Sequence, residues 1–180
     1  MNASGYLIYV QSVWLLQISI SREPAINYVN ASLAVSRKLL AREVPADVKI
    51  VCDLTCEFVD PKYLRAKPRY NCHPVLDAGA CSATELIDLA RRLPPSNDEL
   101  LLIHCANGHG RTGMFAAVWL LAHGFATTVD DAITMLRNTR PGIGLQSRQR
   151  RLVMEALSKL QNCDEPRNER ECRSRDHFAK

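Results

Sequence analysis

Apolar residues run along this chain in two rhythms. Val48-Lys-Ile-Val-Cys-Asp-Leu-Thr55 and Leu100-Leu-Leu-Ile-His104 are short, almost unbroken apolar runs, the pattern of strands buried on both faces of a parallel sheet. Tyr70 to Val75 reads as a weaker strand, and Leu16, Ile18 and Ile20 alternate with Gln17, Ser19 and Ser21 as in a half-buried one. Between these lie helical spacings. Asn30 to Val44 places Leu33, Leu40 and Val44 on one side and stops at Pro45. Ser82-Ala-Thr-Glu85 is a capping box whose helix continues through Leu86, Leu89, Ala90 and Leu93. Thr112 to His123 is apolar nearly all round, so a buried helix is expected, with Gly124 as its C-terminal cap. Val129, Ala132, Ile133 and Leu136 share the face of a helix that Arg140-Pro141 ends. Leu152, Val153, Ala156, Leu157 and Leu160 form the stripe of a last helix with Ser147 as N-cap. Strands alternating with helices predict a single α/β domain with a mostly parallel central sheet flanked by helices.

The size agrees: 180 residues and 20.2 kDa make one domain with room for one core. We expect it over residues 1–160, with 1–29 supplying N-terminal strands, and a charged tail over 161–180. The tail holds five acidic and five basic residues, so the net charge of +4 belongs to the folded body. That charge is too mild for stable nucleic-acid binding, yet it leaves room for a basic patch facing an anionic substrate. Seven cysteines with no Cys-x-x-Cys pair point to free thiols in a reducing compartment, the cytoplasm or nucleus. The apolar stretch Tyr6 to Ile20 spans 15 residues, short of the roughly 20 that a bilayer needs, so no membrane span is expected.

The chemistry is concentrated in His104-Cys-Ala-Asn-Gly-His-Gly-Arg-Thr-Gly113, between a buried strand and a buried helix. Ligands of open α/β sheets bind at the carboxyl ends of strands, and a helix N-terminus there attracts anions. Gly108 and Gly110 let the loop curl so that the amides of Ala106 through Arg111 form a nest. Arg111 adds a planar, two-pronged grip for phosphate oxygens. Cys105 sits beneath these donors, and helix terminus, arginine and amides all favour its thiolate. A dianion is thus held directly over a strong nucleophile.

The Cys-x5-Arg-Thr signature, with His104 before it and Gly113 after it in a strand–loop–helix setting, resembles that of the cysteine-based protein tyrosine phosphatase superfamily. It is most similar to the small dual-specificity branch, and the two-glycine loop also resembles the phosphoinositide 3-phosphatase group. The resemblance runs from about Val48 to Gln149. It implies a phosphomonoesterase that forms a phosphocysteine on Cys105, acts on phosphorylated Tyr and Ser/Thr, and needs no metal or other cofactor. Ala106, Asn107, Gly108, His109, Gly110 and Arg111 would hold the phosphate. His104 would support the thiolate from behind, and Thr112 would donate to the departing sulfur. The general acid maps to Asp77, ahead of the Ser82 helix, with Asp53 and Asp60 as rivals. The Arg140-Pro-Gly segment and Gln149, or else Gln146, resemble the region that positions the hydrolytic water, and Glu57 would brace the loop.

Several alternatives stay open. His109 contacts a second substrate charge or faces solvent, and a zinc site from His104, Cys105 and His109 is disfavoured because adjacent strand residues point to opposite faces. Lys62, Arg65, Lys67 and Arg69 form either a basic rim for acidic phosphopeptides or inositol phospholipid headgroups, or an ordinary solvated loop. Cys52 or Cys56 either pairs reversibly with oxidised Cys105 or is a buried free thiol. Rival functions are a phosphoinositide or RNA 5′-phosphatase and a phosphate-binding module without catalysis.

Overall fold

The structure is a computed structural model that describes residues 12, 14–16, 20–55, 59–75 and 81–164. Among the described residues five strands form one sheet: β1 (Ile26–Tyr28), β2 (Leu33–Ser36), β3 (Val48–Asp53), β4 (Arg69–Cys72) and β5 (Leu100–His104), in the order β1-β2-β5-β3-β4. Only β1 is antiparallel to its neighbour. β3 and β5 take the two central apolar runs, and the Tyr70–Val75 segment gives β4 one residue earlier.

Ile50, Cys52 and Leu54 alternate with Val51 across β3, and Leu101 and Ile103 with Leu102 across β5, so both sheet faces are apolar. One face carries the main core beneath helices α2 (Ala83–Arg92), α3 (Gly110–Ala122), α4 (Val129–Thr139) and α5 (Ser147–Asp164). The other is covered by Leu39, Val44 and Leu64, the last from the short helix α1 (Lys62–Arg65). Helix α3 lies at the centre, with Arg111 to Leu121 all buried, as its lack of a polar face requires. The Ser82 box forms as read: the Ser82 hydroxyl accepts from Glu85 N at 3.2 Å, and Ser82 N donates to the Glu85 carboxylate at 2.8 Å. Gly124 caps α3 with φ of +72°.

Four expectations are corrected. Asn30 to Val44 is not a helix. Leu33-Ala-Val-Ser is buried at every position and forms β2 between β1 and β5, and only Ala41–Glu43 coils, as one 3-10 turn. Leu33, Leu40 and Val44 matched a helical face by spacing, but the intervening Ala34 and Val35 were the stronger signal, and strand pairing won. Leu16 and Ile20 are helical and exposed rather than the inward face of a strand. Ser147 is the first residue of α5 rather than its cap: Gln146 stands there, its N–H held by the Gln149 side chain at 3.0 Å. The same helix extends to Asp164, so the first residues of the predicted tail are ordered.

Candidate active site

The ends of β2, β3 and β5 lie side by side, with Ser36 and Asp53 both in register with His104. Cys105 leaves this edge only 3% exposed, and its chain turns into α3 through residues 106–109. Three successive carbonyls of that turn face away from the centre. Ala106 O accepts from Lys38 N at 3.1 Å and Trp14 Nε1 at 3.2 Å, while Asn107 O and Gly108 O accept from Arg140 at 3.1 and 3.0 Å. In a trans peptide the N–H points opposite to its carbonyl, so anchoring these oxygens turns the amides of 107–109 inward. Gly108 N accordingly donates to the Cys105 sulfur at 3.3 Å. Gly108 has φ of +75°, and a Cβ there would lie 2.5 Å from Ser36 O, so the turn over the end of β2 requires glycine.

Arg111, in the first turn of α3, is buried, and its Nη1 donates to Leu54 O at 3.3 Å and Val75 O at 3.0 Å. These bonds fix the guanidinium at the loop. The Thr112 hydroxyl is wholly buried with no partner among the described residues. Gln149 is buried against the loop: a Cβ on Gly110 would lie 2.9 Å from its Nε2. Gln146 N is occupied by Gln149, and its side chain is exposed. Inward amides around one thiol, a helix N-terminus and a buried guanidinium in the first turn of that helix make a cradle for a tetrahedral dianion.

Beneath the loop lies a charged network. His104 is fully buried, with Nε2 2.9 Å from Asp60 Oδ2 and 3.9 Å from Asp53 Oδ1. Lys38 Nζ meets Asp60 Oδ1 at 2.8 Å. Tyr70 donates to Asp53 Oδ2 at 2.8 Å, and Thr55 donates its amide and hydroxyl to Asp53 Oδ1. Asp53, Asp60 and His104 lie close enough together to hold a cation, but Lys38, Tyr70 and Thr55 already occupy their oxygens. Both carboxylates, rivals for the acid role, therefore lie under the cradle as supports.

Burial pushes the Asp60 carboxyl up, but His104 and Lys38 outweigh it and hold it down at about 2. The folded value is below the unfolded one, so this stabilisation is present above about pH 4 and is lost as pH falls through 2. Asp60→Asn also removes the carboxylate that meets the buried Lys38 ammonium at 2.8 Å. Urea unfolding at pH 7 is expected to show a loss of about 3 kcal/mol, and the gap from wild type should narrow toward pH 2. A variant as stable as wild type at pH 7 would show that the network does not hold the loop.

Two residues whose contacts sequence reasoning missed border the loop. Arg140, read as a helix terminator and as part of the segment resembling the water-positioning region, is 2% exposed. Besides the two loop carbonyls, it donates to Pro24 O and Asn27 Oδ1, both at 2.8 Å, and meets the Glu23 carboxylate at 3.1 Å. Glu23 also contacts His109 Nε2 at 2.6 Å and accepts from Gly142 N at 2.9 Å. His109 therefore faces an acid from its own chain. The Arg140-Pro141-Gly142 sequence marked the region, but nothing in the sequence joins Glu23 to a residue 86 positions away.

Other assignments are revised or fall elsewhere. Asp77, Cys56 and Glu57 lie outside the described residues. The zinc grouping is separated, since His104 turns to Asp60, His109 to Glu23, and Cys105 to the loop amide. Cys52 pairs with Ile103 in register, which leaves it diagonal to Cys105. Burial, with Asp53 and Cys72 adding to it, pushes the Cys52 thiol up, as for a buried free thiol. The four basic side chains of 62–69 differ in their surroundings. Arg69 pairs with Glu99 at the opposite end of the sheet, and Arg65 donates to Asp60 O at 2.9 Å. Lys62 is exposed and Lys67 half-buried.

A buried cysteine under an amide cradle at the carboxyl edge of this sheet has the architecture of the cysteine-based phosphatases. A family model described as PTP-SAK, Swiss Army Knife protein, DSP-PTPase phosphatase domain, matches residues 39–153, and the chain belongs to that family, within the small dual-specificity branch of the superfamily. Among solved structures, Tk-PTP in its active form is 23% identical with a TM-score of 0.62, covering 76% of this chain and 97% of its own. A mouse putative dual specificity phosphatase complexed with zinc tungstate is 19% identical with a TM-score of 0.63, covering 79% and 92%. PTPMT1 in complex with PI(5)P is 15% identical with a TM-score of 0.64, covering 77% and 98%. Comparison with curated proteins gives no significant match. No helix among the described residues is long and apolar enough to cross a membrane.

Proposed function

We propose that this protein hydrolyses phosphate monoesters through a phosphocysteine intermediate, with phosphorylated Tyr and Ser/Thr side chains of proteins as its substrates. The observation that carries this reading is the Cys105 sulfur 3.3 Å from an inward loop amide, in a loop whose following helix opens with an arginine held by two backbone carbonyls. In the first step the Cys105 thiolate attacks phosphorus in line. The S–P bond forms as the ester P–O bond breaks, and Asp77 gives its proton to the departing oxygen. Loop amides from Ala106 to Gly110 and the Arg111 guanidinium hold the equatorial oxygens as charge builds on them. In the second step water, oriented by Gln149, gives a proton to Asp77 and attacks phosphorus. The P–S bond breaks with Thr112 donating to the sulfur, and phosphate leaves.

Protein substrates are proposed because the family model matched over residues 39–153 is a DSP-PTPase phosphatase domain. The purified protein, assayed with chelator present, is expected to release phosphate from phosphotyrosine and phosphothreonine peptides faster than from inositol lipids or RNA 5′ ends. Binding of these ligands without release would leave a recognition module instead. Asp77→Ala is expected to lower turnover of alkyl phosphates by roughly 10²–10⁴-fold, and of activated aryl phosphates much less, since a good leaving group needs no proton. Equal rates for variant and wild type on both ester types would move the acid role to another residue.

A further inference from the structure

The contacts of Glu23 have the form of a bound anion. Its carboxylate lies among the His109 imidazole at 2.6 Å, the Gly142 amide at 2.9 Å and the Arg140 guanidinium at 3.1 Å. All three donors adjoin the phosphate loop. His109 belongs to it, Arg140 grips the Asn107 and Gly108 carbonyls, and a Cβ on Gly142 would lie 2.6 Å from His109 Nε2. An imidazole, a backbone amide and a guanidinium converging on one point is a donor set that suits a phosphate group as well as a carboxylate. Arg140 is 2% exposed, and Glu23 is the one acid paired with it among the described residues. A buried guanidinium deprived of its counter-charge is costly, so a vacated cradle attracts another anion. The site is also reachable: the side chains of Glu23 and His109 are 25% and 37% exposed.

We propose that Glu23 fills a second anion subsite beside the phosphate loop and competes there with a further phosphate on the ligand, so that it biases the protein toward singly phosphorylated substrates. This rests on the phosphate-binding part of the reading above, not on turnover. Every ligand held by the loop carries one phosphate over Cys105. A second, tethered phosphate reaches the Glu23 cradle only when that carboxylate has moved aside, and in wild type the internal acid is always present at high effective concentration.

Calorimetric titration on the Cys105→Ser background removes turnover from the test. Inorganic phosphate, pyrophosphate, tripolyphosphate and fructose 1,6-bisphosphate are compared on Cys105→Ser and on Cys105→Ser/Glu23→Ala. Loss of Glu23 is expected to tighten at least one of the three multiply charged ligands by tenfold or more while inorganic phosphate changes less than twofold. Glu23→Gln, which keeps the shape and removes the charge, should show a smaller gain in the same ligand, and it preserves the test if the alanine variant folds poorly. Equal shifts for all four ligands, or none for the three larger ones, would overturn the proposal and reduce Glu23 to a structural counter-ion of Arg140. If inorganic phosphate failed to bind Cys105→Ser at all, the phosphate-loop reading itself would fall, a result distinct from either of these.

Discussion

Cys105→Ser is expected to lower turnover of an aryl phosphate by at least about 10⁴-fold while inorganic phosphate still binds. The two halves of this result have different physical origins. Serine keeps the size and position of the nucleophile, and the loop is held from outside: Ala106 O by Lys38 and Trp14, Asn107 O and Gly108 O by Arg140. None of those bonds involves the sulfur, so the inward amides and Arg111 remain in place for an anion. A serine hydroxyl, however, is a far weaker nucleophile than a thiol sulfur, and no general base for it lies among the contacts of Cys105 in the described residues. Single-turnover kinetics on phenyl-type phosphates and calorimetric titration with inorganic phosphate check the two halves separately. Retention of near wild-type turnover would remove the covalent intermediate from the mechanism.

Legibility in the sequence divides along a physical line. Local signals carried well. The two apolar runs became β3 and β5, the Ser82 box formed, and the signature segment lies where a strand ends and a helix begins. Each depends on residues a few positions apart. What the sequence concealed is the part made by distant pairs. Arg140 bonds the loop across 32 and 33 positions, Glu23 meets His109 across 86, and Lys38 reaches Asp60 across 22. A charged side chain in a run of charged residues looks solvated until its partner is known, and so Arg65 and Arg69 read as either a substrate rim or a solvated loop, with no sign of their partners Asp60 O and Glu99. The Asn30–Val44 error has the same source. Four buried residues of β2 are strand because β5 lies beside them, which no window of that segment contains.

Arg111→Lys separates charge from geometry at the same position. The ammonium retains the positive charge, so loss of charge does not explain any defect. What disappears is the rigid planar fork. In the present arrangement Nη1 is occupied by Leu54 O at 3.3 Å and Val75 O at 3.0 Å. On the proposed mechanism the remainder of the guanidinium faces the phosphate, so one flat group bridges the sheet edge and the substrate without bending. A lysine at this buried site has one nitrogen for both tasks. If it satisfies the two carbonyls it is drawn away from the dianion, and if it turns to the dianion the carbonyls lose a partner at a cost of roughly 1–3 kcal/mol. The loss should also be larger in the transition state, where equatorial oxygens spread into the plane that a two-pronged donor matches. We therefore expect kcat to fall by about 10³-fold, and inorganic phosphate to bind about tenfold more weakly, in a variant that still melts cooperatively. A rise in KM with kcat unchanged would assign Arg111 to ground-state binding alone, and a variant within threefold of wild type in both would show that charge near the loop, not the fork, is what the site requires.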